Sequence, residues 1–272
     1  MAVTMEEIKK LRTMTGAGMM DCKNALNESN GDMDKAIELI RKRGQAIAAK
    51  RSDREAAEGC VLAGIKDGFA AIVAVKCETD FVAKNADFVA LTQSILNLAL
   101  AEKPASMDAL LAAKIDGRTV AELITERSGV TGEKMELGYY EFVNGASVVE
   151  YMHPGNKLAT IVAFNEAGVE RQIARDIAMQ AAAMNPVALN RDQVPEDIKA
   201  KELEIGKEKA REEGKPEAIL DKIAMGRLDK FFKESTLMEQ EFIKDGKMTV
   251  TDYCKANKVT PIAFKRVNLN QD

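Results

Sequence analysis

The stretch Cys77-Glu78-Thr79-Asp80-Phe81-Val82-Ala83-Lys84-Asn85 decides how the middle of this chain folds. The apolar, partly β-branched run at residues 71–75 precedes it and predicts a buried strand. Apolar residues at helical spacing follow it and predict a helix that ends near Glu102. The stretch therefore lies where a strand gives way to a helix, and Thr79 or Asp80 can cap that helix.

Phe81 has two interpretations at this corner. A lone aromatic side chain at the end of an element usually packs inward, so the spacing alone favours a core residue. Beside the charge of Asp80, the same ring can instead be a wedge that is presented to a partner. The two interpretations differ in whether the ring is buried or exposed.

Length and composition indicate a globular protein of about two domains. The chain has 272 residues, of which 46% are hydrophobic, enough to bury a full core. Its net charge of −4 argues against nucleic acid as a direct partner, because phosphate binding needs a basic surface. The N-terminus lacks an apolar signal run and no stretch reaches the ~18 apolar residues of a membrane span. We therefore expect a cytoplasmic protein without a membrane partner.

The residue types give little support to covalent catalysis. The single histidine, His153, excludes a metal cluster with several histidines, and the four cysteines show neither a Cys-x-x-Cys pair nor disulfide spacing. The segment Gly16-Ala17-Gly18 follows a predicted helix rather than a strand, so it indicates a helix C-cap and not a dinucleotide loop. We expect no cofactor, no bound metal and no enzyme activity.

The first 44 residues predict a bundle of three short helices. Thr4 and Glu7 form a capping box for the first helix, Asp32 caps the third, and Gly44 is expected to end it. Met19 and Met20 are adjacent and cannot both face one core, so one is expected at the surface, either as an adaptable contact or with no role. Residues 45–58 are charged and predict a helical linker.

The rest of the chain predicts an α+β core in two subdomains, residues 59–140 and 141–272. The sequence Ile72-Val73-Ala74 recurs as Ile161-Val162-Ala163, in each case on the second strand of a predicted hairpin that leads into a helix. A duplicated unit with antiparallel sheets is therefore expected. Residues 195–233 predict a polar helical hairpin inserted in the second subdomain, and this hairpin is a candidate surface for a homodimer.

Two segments resemble the signatures of the elongation factor Ts family, the guanine-nucleotide exchange factors of elongation factor Tu. One is Thr79-Asp80-Phe81-Val82-Ala83-Lys84-Asn85. The other is Leu11-Arg12-Thr13-Met14-Thr15-Gly16-Ala17-Gly18-Met19-Met20-Asp21-Cys22-Lys23-Asn24-Ala25-Leu26. The resemblance covers nearly the whole chain, most weakly from about residue 186 to 245. It implies a ubiquitin-associated-like N-terminal bundle and a translation factor that binds elongation factor Tu with GDP.

The resemblance also implies which residues contact that partner. Phe81 is expected to insert between partner helices, while Asp80 disturbs the groups that hold Mg²⁺ over the phosphates, so that GDP leaves and the nucleotide-free state is stabilised. The implied contact residues are Thr79, Asp80, Phe81, Val82 and Ala83 for Mg²⁺ dislocation, with Arg12, Met19, Met20, Gly132 and His153 for docking. Around His153, the residues Pro154, Asn156 and Ala159 differ from the family's commoner small-residue pattern.

A protein of another class remains an alternative. The N-terminal bundle on its own is compatible with a non-catalytic adaptor that binds ubiquitin-like or ribosomal partners. The motif at residues 79–85 argues against this alternative, because an adaptor has no need of an exposed aromatic and carboxylate at that corner.

Overall fold

The computed structural model describes residues 3–270. They form two compact units, one made of residues 3–62, 73–140 and 269–270, the other of residues 63–72 and 141–268. Helices are combined with small sheets, so the predicted α+β class is confirmed. The docking and subdomain roles assigned to residues 1–44, 45–58, 59–140 and 141–272 stay predictions.

The chain begins with the expected bundle of helices α1 (Met5–Thr15), α2 (Met19–Glu28) and α3 (Met33–Lys50). Thr4 and Glu7 form the capping box, and the Asp32 side chain accepts a hydrogen bond from the N–H of Lys35 at the start of α3. Gly16 ends α1 with a φ of 69°, which confirms the predicted C-cap. The buried residues of the bundle are Ile8, Leu11, Ala17, Cys22, Ala25, Leu26 and Ala36.

The stretch at residues 77–85, which we call the corner motif, begins at the end of a hairpin of strands β1 (Glu58–Lys66) and β2 (Phe69–Cys77). The turn residues Asp67 and Gly68 have φ values of 48° and 71°, as a two-residue hairpin turn requires. After β2 comes the single-turn helix α4 (Asp80–Ala83), and then α5 (Ala86–Glu102), which buries Phe88 and ends where the sequence predicted.

The first unit is completed by five short elements, α6 (Met107–Ala112), β3 (Lys114–Ile115), β4 (Arg118–Thr119), α7 (Val120–Thr131) and the start of β5 (Glu136–Asn144). Thr119 and Glu122 form the capping box of α7. Strands β3 and β4 pair with each other, and the sheet that contains β1 and β2 has the order β1-β2-β5.

The expected end of α3 at Gly44 is wrong. The helix continues for six further residues to Lys50, and Gly44 is buried against α7. The Cα of Gly129 lies 3.4 Å from the position that a Cβ on Gly44 would take, so two glycines let the helices approach closely. The gain from this packing exceeds the ~1 kcal/mol that a glycine costs inside a helix, which is why Gly44 does not stop α3.

The second unit repeats the order of hairpin and helix. Strands β6 (Ser147–Met152) and β7 (Leu158–Phe164) pair antiparallel, with Ser147 opposite Phe164 and Met152 opposite Ala159. Helix α8 (Arg171–Met184) follows and buries Ile177. The repeated sequence lies on β2 and on β7, each the second strand of its hairpin, so the predicted duplication of elements is confirmed.

The predicted helical hairpin is present as α9 (Glu196–Glu212) and α10 (Leu220–Ser235), joined through a 3₁₀ turn at Glu217–Ile219. Gly206 lies against Ala224, where a Cβ on the glycine would be 3.1 Å from the Cα of the alanine. The α10 side chains Leu228 and Phe232 are buried in a small cluster with Ala188 and Val194. The base of the hairpin therefore has its own apolar contacts.

The chain returns through β8 (Glu241–Phe242), β9 (Asp245–Thr249), α11 (Val250–Asn257) and β10 (Pro261–Asn268). Strand β10 pairs antiparallel with β7 and gives the sheet order β10-β7-β6. The core of this unit consists of Val149, Val162, Phe164, Ala174, Ile177, Ala178, Ala181, Leu189, Leu237, Phe242, Val250, Cys254 and Val259. Between residues 3 and 270, no helix is long and apolar enough to cross a membrane.

Candidate functional site

Helix α4 turns the corner motif so that its aromatic residue faces away from the protein. The Thr79 side chain is the N-cap of this single turn and accepts a hydrogen bond from the N–H of Val82. The long helix that Thr79 or Asp80 was expected to cap begins later, at α5, where Asn85 is the N-cap. Ala83 is buried, whereas the Phe81 side chain is 84% exposed. Residues two positions apart on a helix point in nearly opposite directions, so burying Ala83 places Phe81 outward. The interpretation of Phe81 as a core residue is wrong.

The carboxylate next to this ring is also exposed and is held by a lysine. Nζ of Lys84 donates to Oδ2 of Asp80 at 2.7 Å, one helical turn along. This hydrogen bond lowers the pKa of Asp80 and raises the pKa of Lys84. Asp80 is therefore ionised at neutral pH. The turn presents an apolar ring and a negative charge side by side.

The loop that contains Gly132 lies beside this turn. Gly132 ends α7 with a φ of 73°, a conformation that a residue with a Cβ rarely adopts. The next residue, Glu133, reaches the start of α4: its Oε1 accepts from Oγ1 of Thr79 at 2.6 Å. The structure thus brings together two segments that the sequence indicated separately. The family resemblance indicates the loop Thr131-Gly132-Glu133 as a contact segment, with Gly132 as its contact residue and no role for the Glu133 side chain.

An arginine connects α7 to the start of α5. Asn85 is the N-cap of α5, and Nη2 of Arg127 donates to its side-chain oxygen at 2.9 Å and to Oδ2 of Asp87 at 3.1 Å. Nη1 of the same guanidinium lies 3.5 Å from the position of a Cβ on Gly16, at the end of α1. Arg127 therefore binds the residues that begin α5 and lies close to the end of α1. No pattern in the sequence pointed to it.

The three N-terminal contact residues lie on the first two helices. Arg12 is exposed in the last turn of α1. Met19 is half-buried and packs against the bundle core, whereas Met20 is 64% exposed. The expectation that one of the two methionines lies at the surface is confirmed. Whether these three side chains bind a partner stays a prediction.

His153 belongs to the second unit. It is exposed at the turn between β6 and β7. Its backbone N–H donates to the carbonyl oxygen of Leu158 at 2.8 Å. Its Nδ1 lies 3.0 Å from the hydroxyl oxygen of Tyr151. Asn156 adopts a positive φ of 55° and Gly155 one of 95°. The turn thus accommodates Pro154 and Asn156, the departures from the commoner pattern.

Groups that could carry covalent or metal chemistry do not come together at the corner. Among residues 3–270, no three His, Cys, Asp or Glu side chains are placed to hold a metal ion. The four cysteines are buried and none of them is in a disulfide, and burial raises the pKa of Cys254 to about 12. The first unit instead presents the exposed ring of Phe81 beside the carboxylate of Asp80, an arrangement suited to binding a partner.

Comparison with known proteins places this chain in a known class, the translation elongation factors. The family model described as "Elongation factor TS" matches residues 78–271, which begins at the corner motif. The elongation factor Ts of Porphyromonas gingivalis is 64% identical over the full length of both chains. That of Azobacteroides pseudotrichonymphae is 56% identical, and that of Bacteroides fragilis 44%, again over the whole of each chain. The chain belongs to the elongation factor Ts family.

Proposed function

We propose that this elongation factor binds elongation factor Tu in its GDP-bound form and promotes release of the GDP. The observation that carries the proposal is the exposure of Phe81 beside the ionised Asp80 on a single helical turn that is capped by Thr79. Burial of this ring, which is 84% exposed, would contribute ~2 kcal/mol or more to binding, because removing an aromatic side chain from water is favourable.

An exchange factor of this kind works by differential binding. It must bind nucleotide-free elongation factor Tu more tightly than the GDP-bound form, and by linkage GDP then binds more weakly in the complex. A thousandfold effect requires ~4 kcal/mol of differential contact. Burial of the Phe81 ring at the partner is one source of that energy. No covalent step is needed, so the protein is proposed to act without enzyme chemistry.

The carboxylate has a separate task in this proposal. Mg²⁺ is the largest positive charge beside a bound nucleoside diphosphate, and removing it weakens the hold on the phosphates. Asp80 bears a negative charge at neutral pH and lies next to the inserted ring. We propose that it disturbs the groups that coordinate the ion. Thr79, Val82 and Ala83 then serve to form and seat the turn.

The remaining predicted contacts are proposed as docking residues. Arg12, Met19 and Met20 would bind through the bundle, Gly132 through its loop beside α4, and His153 through its turn. The polar hairpin of α9 and α10 is proposed as the surface for a homodimer. Action on elongation factor Tu would take place in the cytoplasm, with neither nucleic acid nor membrane in direct contact.

The proposal is tested by measuring release of a fluorescent GDP analogue from elongation factor Tu. Catalytic amounts of the chain should accelerate release, and the acceleration should saturate with the concentration of the chain. Nucleotide-free elongation factor Tu should bind the chain more tightly than the GDP-bound form does. Unchanged release at saturating concentrations of the chain would contradict the proposal and would favour an adaptor that only binds.

A further inference from the structure

Glu133 makes an unusual set of contacts with the start of α4. Its Oε2 accepts hydrogen bonds from the backbone N–H of Glu78 and of Thr79, each at 3.1 Å, and its Oε1 accepts one from the Thr79 hydroxyl at 2.6 Å. Three donors of one short segment thus converge on a single carboxylate. Hydrogen bonds to a charged acceptor are roughly twice as strong as those between neutral groups.

The contact is reciprocal. Oε1 of Glu78 accepts a hydrogen bond from the backbone N–H of Lys134 at 2.7 Å. Each segment therefore gives one glutamate side chain to the backbone of the other. The Lys134 N–H, together with Arg54 and Arg51, lowers the pKa of Glu78 against the effect of burial, so this carboxylate is ionised at neutral pH. The two segments are held together from both sides.

Helix α4 has little else to fix its orientation. It has four residues, and a single turn of helix is not stable without tertiary contacts. Phe81 is exposed and cannot anchor the turn by packing, and the only buried residue of the helix is Ala83. The direction in which Phe81 and Asp80 point is therefore set mainly at the N-terminal end, where Glu133 binds.

We propose that Glu133 is a positioning residue for nucleotide exchange. It holds the Thr79-Asp80-Phe81 turn in the orientation that acts on the partner, and it joins that turn to the Gly132 loop in one fixed register. This role rests on the proposed exchange function and adds to it a residue that does not itself touch GDP. A turn that is already fixed loses less conformational entropy when it binds.

The first test compares variants at this position in the GDP-release assay over a range of concentrations of the chain. Glu133→Ala removes all three hydrogen bonds and should lower the maximal rate about tenfold, the loss expected for one or more charge-assisted hydrogen bonds. The concentration for half-maximal effect should change much less, since the bundle still docks. Glu133→Gln should restore most of the rate, because the amide oxygen can accept from both N–H groups.

Glu102→Ala is the matched control. It removes one negative charge from an exposed position at the end of α5, in the same unit and away from the corner. Its release kinetics should match those of the wild type. If Glu133→Ala fails to fold, Glu133→Asp tests the same role, because it keeps the charge but withdraws the carboxylate by one methylene group.

A double-variant experiment separates positioning from general weakening. If Glu133 acts through Phe81, then Glu133→Ala should reduce the rate far less in a Phe81→Ala background than in the wild type. Equal fold-losses in the two backgrounds would overturn the positioning role. Rates are expressed per folded molecule, so a mere loss of stability does not mimic the effect.

Amide hydrogen exchange gives a readout that does not depend on the partner. The N–H groups of Glu78 and Thr79 should lose protection in Glu133→Ala and keep it in Glu102→Ala. If the wild type accelerates GDP release and Glu133→Ala reaches the same maximal rate, the positioning role of Glu133 is overturned while the proposed function stands. A wild-type chain without any effect on GDP release would overturn the proposed function and, with it, this role.

Discussion

The ammonium group of Lys84 lies 2.7 Å from the carboxylate of Asp80, within one turn of the helix that bears Phe81. The side chains are 76% exposed for Lys84 and 48% exposed for Asp80, so the ion pair contributes little to stability. Its effect is on charge and orientation: the hydrogen bond lowers the pKa of Asp80 and restricts its side chain. A partner that engages the carboxylate must replace Lys84 with charges of its own.

Asp80→Asn should reduce exchange through the metal rather than through docking. Thr79 caps α4, so the variant keeps both the cap and the size of the side chain and loses only the charge. It should bind nucleotide-free elongation factor Tu nearly as well as the wild type. Its defect should shrink as Mg²⁺ is chelated, because the step it assists is then complete. The measurement is the GDP release rate against free Mg²⁺.

The control for this prediction is Asp108→Asn, the same change at an exposed position in the first turn of α6. It should leave release unchanged at every Mg²⁺ concentration. If Asp80→Asn showed the same fractional defect at all Mg²⁺ concentrations, the role in metal release would be wrong. Asp80 would then be an ordinary docking contact.

Phe81→Ala should abolish most of the exchange while the fold is kept. The ring is exposed, and substitutions at such positions change the free energy of unfolding by roughly 0.5 kcal/mol or less. Phe88→Ala is the contrasting variant, because that ring is fully buried and its loss should cost ~3–5 kcal/mol. Thermal unfolding and GDP release are measured for both. A Phe81 variant with a much lower melting temperature would mean that the ring supports the fold.

Two tyrosines, Tyr140, which is buried, and Tyr253, which is partly buried, should ionise at a pH above the usual range and make the protein sensitive to alkali. Burial raises the pKa of Tyr140, and burial together with Asp176 raises that of Tyr253, from 10.0 to about 12 in both cases. The folded state therefore favours the neutral phenols. Their contribution to stability is complete below pH 10.0 and is lost as the pH rises toward about 12.

Spectrophotometric titration of tyrosinate absorbance checks this expectation. Tyr140→Phe and Tyr253→Phe should each remove part of the absorbance change near pH 12. If a Tyr→Phe variant instead removed part of the absorbance change near pH 10.0, the phenol would be hydrated in the folded protein. The free energy of unfolding, measured in urea across this range, should fall as the pH rises.

Local patterns predicted the elements of this protein well, because caps and strand periodicity act over a few residues. Thr4 and Asp32 cap the helices that they were expected to cap. The duplication was visible because the same three residues occupy the second strand of each hairpin. The corner motif was likewise recognised as the junction of a strand and a helix.

The features that the sequence did not predict depend on tertiary contacts. Phe81 points outward because the buried residue of its single turn is Ala83, and spacing alone cannot show which side of so short a helix faces the core. Glu133 acts across more than fifty residues of sequence, at the backbone of Glu78 and Thr79. Gly44 lies inside α3, where it permits the close approach of α7. A rule that considers only the neighbouring residues takes such a glycine for the end of a helix.

Gly129→Ala should destabilise the protein and weaken docking. A Cβ at this position would lie 2.2 Å from the Cα of Gly44, so α3 and α7 must move apart. Overpacking of this kind typically costs ~1–3 kcal/mol, which outweighs the better helix propensity of alanine. Because α3 belongs to the bundle that bears Met20, a higher concentration of the variant should be needed for half-maximal GDP release. The maximal rate per folded molecule should persist, because the turn at Phe81 is untouched.

Gly226→Ala is the matched control for this last prediction. Gly226 lies inside α10 and a Cβ there would have no neighbour within 4 Å. Alanine should therefore raise the free energy of unfolding by up to ~1 kcal/mol, since glycine is a poor helix former. Thermal or urea unfolding should show a lower free energy of unfolding for Gly129→Ala and a higher one for Gly226→Ala. A gain in stability for Gly129→Ala as well would mean that the two helices do not need their close approach, and the docking defect expected from it would then be absent too.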